Sequence, residues 1–173
     1  MSSKTINIAG IIIPNISPLF FAVILLHILV AFVCVLAGII AMFSKKRAGV
    51  HSTFGSIYYW FLAIIFASVT ILSIMRWAED YYLFILGVFS FTMATMGRMS
   101  RRKRWKNWVK IHIAGMGMSY ILMLVAFYID NGRNLPVWKD LPAYTYWLLP
   151  NVVGIPLIIR ALIKYSKPNN KIA

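Results

Sequence analysis

Five long apolar stretches alternate with short polar ones along the chain, at 16–43, 52–75, 81–97, 111–129 and 141–159. None of the five contains Asp, Glu, Lys or Arg. A helix rises about 1.5 Å per residue, so stretches of this length cross a hydrocarbon core of about 30 Å. The third is short and uses Arg98 with Tyr81 or Tyr82 to reach the interfaces. Inside lipid no water satisfies exposed backbone groups, so each stretch is expected to be helical. The short connections favour an antiparallel up-and-down arrangement. The pattern therefore predicts an all-α fold, an integral membrane bundle of five transmembrane helices in one domain spanning 1–173. Pro150 and Pro156 fall inside the fifth stretch and are expected to kink it.

Composition strengthens this reading. Hydrophobic residues make up 61% of the 173 residues and charged ones 13%. A small soluble domain has too much surface to hide that surplus. The net charge of +14 ordinarily suggests nucleic acid as a partner, but here the basic residues cluster in short runs between the spans. Lys45, Lys46 and Arg47, the run from Arg98 to Lys110, and the C-terminal Arg160, Lys164, Lys167 and Lys171 share one side. Lys4, Arg76, Arg133 and Lys139 lie on the other, with all four acids: Glu79, Asp80, Asp130 and Asp140. The positive-inside rule then predicts an outward N-terminus and a cytoplasmic C-terminus, in the cytoplasmic membrane. Residues 1–15 lack a basic leader region and a small-residue cleavage site, so no removable signal peptide is expected. Anionic lipid headgroups are the expected partners of the basic loops, and nucleic acid is not.

Small residues mark packing faces. Gly87, Ser90, Ala94 and Gly97 form a stripe on the third helix; Gly115 with Ser119 and Ala63 with Ala67 repeat the pattern on the fourth and second. Such stripes pack helices within one chain or mark a face for a second copy or a partner subunit. Trp138, Tyr144, Tyr146 and Trp147 suit an aromatic belt at the outer interface. Cys34, the one cysteine, reads as a small hydrophobe.

Chemistry narrows to three histidines, because an ionisable residue within a span is costly. His51 opens the second helix and His112 the fourth, both at the basic end, so their rings share one depth. Two neutral imidazoles are what a b-type haem or a transition-metal ion takes as ligands. His51 and His112 are thus the candidate metal and cofactor ligands, with Arg98 and Arg101 as candidates to hold haem propionates. Interfacial hydrogen bonding and a proton-handling or quinone-contacting role are the alternatives. His27 lies near mid-membrane and is expected to bond Ser73 or Tyr58. Met93, Met96 and Met99 form a row that with imidazole suits Cu(I), although methionine is also ordinary packing material. No catalytic grouping is visible, and no carboxylate lies in any span.

The segment Ala48-Gly-Val-His-Ser-Thr-Phe-Gly-Ser-Ile-Tyr58 resembles the His-x-x-x-Gly-x-x-Tyr signature of a bacterial membrane family known only as domain of unknown function 2306. His112-Ile-Ala-Gly-Met-Gly-Met-Ser-Tyr120, Ala126-Phe-Tyr-Ile-Asp-Asn-Gly132 and Leu135-Pro136 are similar to a Firmicutes-type subgroup of it. The resemblance spans the chain from the first helix onward and implies a multi-helix membrane protein, with no activity or ligand attached. Histidines on the second and fourth helices also give a loose analogy to di-haem membrane cytochromes of the b561 type, whose second histidine pair is missing here. Three function classes follow: a small b-type haem or electron-transfer protein, a cofactor-free accessory or binding subunit, and a small carrier or channel. The absence of charge in the spans and of an inverted repeat counts against the last.

Overall fold

A computed structural model describes residues 5–8, 11–14, 18–47 and 49–165. The expectations that involve Lys4, Ala48, Lys167, Lys171 and the leader reading of residues 1–15 lie outside the described residues or their side chains. Two short strands come first: β1 (Thr5–Ile8) pairs antiparallel with β2 (Ile11–Pro14), with Ile8 opposite Ile11 and Thr5 opposite Pro14. Five helices follow: α1 (Pro18–Phe43), α2 (Val50–Met75), α3 (Trp77–Arg102), α4 (Trp108–Asn131) and α5 (Tyr144–Tyr165). All five are long and apolar enough to cross a membrane. The chain is an all-α multi-pass membrane protein with a small strand pair ahead of the first helix.

The helix ends differ from the apolar boundaries. α3 extends well past 81–97 at both ends, because its terminal turns are charged but still helical. Glu79 and Asp80 occupy its first turn and Arg101 and Arg102 its last, each complementing the partial charge of that helix end. α5 begins at Tyr144 because Leu141 and Pro142 belong to a turn, and it continues to Tyr165 through both prolines. A single residue, Arg76, joins α2 to α3. Its guanidinium pairs with Glu79 and lies 5.7 Å from the Phe20 ring of α1. At α2's start Gly49 adopts φ 105°, a conformation that a side chain would strain.

Helices α1 to α4 pack in sequence, and α4 closes back toward α1 through Tyr120, whose Oη donates to the Val35 carbonyl at 3.2 Å. The central core consists of Val30, Cys34 and Ala37 of α1, Tyr58, Leu62 and Ile65 of α2, Ala94 of α3 and Tyr120 of α4. Cys34 is fully buried there, as a small hydrophobe, its Sγ 3.5 Å from the Tyr58 carbonyl. Ser119 Oγ donates to the Met116 carbonyl, so its lone pair accepts from Tyr58 Oη at 2.8 Å. Ser90 Oγ donates to the Ser119 carbonyl at 2.8 Å, completing a hydroxyl chain across α2, α3 and α4. Outside this core the surface is apolar: Phe32 is 66% exposed, Ile74 68% and Val152 67%. Continuous exposure of that kind needs lipid to cover it.

The small-residue stripes pack in two of three cases. Ser90, Ala94 and Gly97 are buried against α4, while Gly87 instead faces Phe66 and Val69 of α2. Gly115 and Ser119 are buried on α4. The Ala63–Ala67 pair is not a seam within the chain, since Ala67 is exposed and α2 buries Tyr58, Leu62, Ile65, Ser68, Leu72 and Ser73 instead.

Candidate functional site: a histidine pair at the basic end

Four helices position the two imidazoles. His51 lies in the first turn of α2, and its Nδ1 is 2.8 Å from the carbonyl oxygen of Ala41, near the end of α1. The last carbonyls of a helix have no intrahelical donor and take donors from outside it; Ser44 Oγ also donates to the Ala41 carbonyl, at 3.1 Å. Lys46 Nζ reaches the same carbonyl at 2.9 Å and also donates to the Met42 carbonyl. Desolvation against the end of α1, and secondarily the Lys164 charge, lower the Lys46 pKa below its ordinary value. His112 lies in the second turn of α4, and its Nδ1 is 2.9 Å from the Gly97 carbonyl of α3.

These two bonds fix the tautomers. A carbonyl oxygen only accepts, so each Nδ1 carries its ring's proton and donates it. In the neutral ring the Nε2 lone pair is then the free one. A backbone carbonyl fixing one ring nitrogen while the other keeps its lone pair is the support that metal-ligating histidines receive.

The ring centroids are 6.2 Å apart and the planes are nearly perpendicular, at 87°. Two imidazoles on one metal ion place their centroids roughly 6 Å apart, given metal–nitrogen bonds of about 2 Å. The charges of Lys46 and Arg101 act on both rings. Among the described residues no group of three or more His, Cys, Asp or Glu side chains could hold a metal ion.

Of the residues singled out from sequence, the fold brings together His51 and His112, and the Arg101 charge acts on both rings from a distance. Arg98 is turned away: its guanidinium stacks 4.6 Å from the Tyr59 ring and 5.8 Å from that of Trp60, with Nη1 3.4 Å from Ser56 Oγ. It occupies the α2–α3 seam because one residue beyond Gly97 on α3 is about 100° further round the helix. Lys46 takes the place beside the pair that Arg98 was expected to fill; its loop position gave no sequence signal. His27 bonds neither Ser73 nor Tyr58. Its Nδ1 lies 2.8 Å from Ser68 Oγ, while Ser73 donates to the Asp80 carbonyl and Tyr58 to Ser119. His27 is 14 residues before Ala41 on α1, about 21 Å along the axis, and belongs to no shared site with the pair. Met96 is 43% exposed on the outer face of α3, so the methionine row does not line up on the histidines.

The seam between α3 and α4 is closed beside the pair. A Cβ added at Gly115 would meet the Met93 carbonyl at 2.7 Å and the Gly97 nitrogen at 2.9 Å. The two backbones therefore touch one turn from His112. Two surface grooves lie on the outer faces of α2 and α5, and neither is lined by a histidine.

No family model, curated protein or solved structure matches this chain. The functional reading consequently stands on the geometry of its own residues.

Proposed function

We propose that this chain is a small membrane-embedded b-type haem protein that carries electrons, and that His51 and His112 would hold the haem. The observation that carries the reading is the pair itself: two imidazoles at 6.2 Å, each with Nδ1 bonded to a backbone carbonyl and Nε2 free. Ligand arithmetic favours haem over a bare ion. A bare divalent cation needs further ligands that the described residues do not provide, and Lys46 and Arg101 repel it. Haem would bring most of its iron's ligands itself, together with two propionates, so that two imidazoles and cationic partners from the protein would suffice to hold it. When bound, it supplies one-electron chemistry at its iron. The chain's residues hold the imidazoles in the ligating tautomer, while Lys46 and Arg101 offset anionic charge at the basic end. Gly97 and Gly115 bring the α3 and α4 backbones into contact, so that this stretch of the seam would not admit the group. By its charge distribution the protein resides in the cytoplasmic membrane with that end inside.

The test is an optical spectrum of detergent-purified protein, expressed with ample haem, before and after dithionite. A Soret band with sharp reduced α and β bands is expected, lost in both His51→Ala and His112→Ala. A second reading is favoured by the bonds that already fasten each ring to a neighbouring helix and by the closed seam. It makes the pair a structural clasp in a cofactor-free accessory subunit. A colourless preparation that co-purifies with a second membrane protein sinks the haem reading and supports the accessory one.

A further inference from the structure

Among the described residues Arg98 has no carboxylate partner, which it shares with the other cations except Arg76, but it is the one stacked between two aromatic rings on a neighbouring helix. The ion pair found among the described residues, Arg76 with Glu79, lies at the opposite end of the bundle. Arg98 is held by two aromatic faces and one serine hydroxyl, which leaves most of its five N–H donors unspent. It sits four residues before the end of α3, about 6 Å in from that helix terminus. Its side chain leans toward the helix N-terminus, deeper into the membrane, where it stacks on Tyr59 and Trp60. A guanidinium at that depth without a carboxylate is costly, and an anionic headgroup is a partner that the bilayer supplies.

Beside it a groove of about 550 Å³ opens along α2, lined by Ser52, Thr53, Ser56, Ile57, Trp60 and Phe61. Its chemistry is ordered along the helix axis. Hydroxyls come first, over the turn and a half nearest the basic end. Aromatic and aliphatic walls follow further in, with Trp60 61% exposed to the surroundings. A phospholipid entering from that leaflet carries its polar and apolar parts in the same order. Ser56 and Arg98 meet where the two halves of the groove join.

We infer that this groove seats one anionic phospholipid, its phosphate on Arg98 and Ser56 and an acyl chain along Ile57, Trp60 and Phe61. The site is separate from the histidine pair and does not depend on a cofactor. A planar fork on aromatic faces suits a phosphate, because guanidinium binds it through two parallel hydrogen bonds and is weakly hydrated.

Native mass spectrometry of the full chain in mild detergent tests it, with phosphatidylglycerol, phosphatidylcholine and inorganic phosphate as the probes. The wild type is expected to retain one phosphatidylglycerol in preference to phosphatidylcholine, and Arg98→Gln to bind it roughly five- to tenfold more weakly. Arg160→Gln, at the groove on α5, is expected to leave that retention unchanged. Equal retention by wild type and Arg98→Gln overturns the inference, as does an equal loss in Arg160→Gln, which would make the binding mere charge attraction. Competition by millimolar inorganic phosphate would show an anion site with no lipid specificity and also overturn it. If Arg98→Gln gives no monodisperse sample, Arg98→Lys and Ser56→Val carry the test. Both must weaken phosphatidylglycerol retention relative to wild type, and unchanged retention in either overturns the inference.

Discussion

At the scale of single residues, the decisive positions are those where an atom more or less changes which helices can touch. Gly115 is the clearest. Its missing Cβ faces the Met93 carbonyl, the Gly97 nitrogen and the Gly97 Cα within 3.0 Å, and all three are backbone atoms that cannot swing away. Gly115→Ala must therefore part α3 from α4, at a cost on the order of 1–3 kcal/mol, the usual penalty for overpacking. Gly55 offers the contrast, since nothing lies within 4 Å of where its Cβ would be. Gly55→Ala should be neutral or stabilising by up to about 1 kcal/mol, through helix propensity and a less flexible unfolded chain. Thermal unfolding of both variants in the same detergent checks the pair. Equal melting temperatures would show that the α3–α4 contact is looser than these distances indicate.

At the scale of elements, α5 differs from the rest. It buries few residues and packs on α4. The seam has two reciprocal contacts: Ile158 of α5 fills the space over Gly117, and Ile121 of α4 fills that over Gly154. Near the acidic end Tyr146 packs on Gly132 and donates its Oη to the Trp138 carbonyl at 3.0 Å, tying the preceding loop to the helix. Gly154→Leu pushes a branched side chain into Ile121 and should undock α5 while sparing the α1–α4 core. Hydrogen exchange is expected to quicken across Tyr144–Tyr165 alone. A uniform rise over all five helices would mean that α5 supports the whole fold.

This scale also separates what was legible in the sequence from what was not. Five spans follow from apolar length alone, since lipid makes every such stretch helical. The true extent of α3 does not, because a count of apolar residues stops at Glu79, Asp80 and Arg98 whereas the helix continues through them. The strand pair at residues 5–14 carries no comparable signal in so short a run of Ile and Asn. The shared depth of His51 and His112 follows from helix direction, but their approach to 6.2 Å depends on which helices are neighbours. The swap of Lys46 for Arg98 beside the pair depends on rotation about α3 and on a loop, neither of which periodicity encodes. The same holds for Tyr58, Ser90 and Ser119, whose hydroxyl chain needs three helices in register.

At the scale of the whole molecule, orientation decides which compartment the histidine pair faces. The basic loops and the pair share one end, and the acids share the other with Arg76, Arg133 and Lys139. Insertion holds the more basic loops in the cytoplasm, so the pair is predicted to face the cytoplasm and Arg133 the exterior. The chain is well suited to a direct test, because its one cysteine, Cys34, is fully buried and should resist maleimides. Arg133→Cys and Lys106→Cys each add one reactive thiol at an exposed loop position. In intact cells a membrane-impermeant maleimide should label the first, and should reach the second only after permeabilisation. The reverse pattern would put His51 and His112 at the outer face. Labelling of both in intact cells would mean that the chain inserts in two orientations, which a bias of 14 basic residues against 4 should prevent.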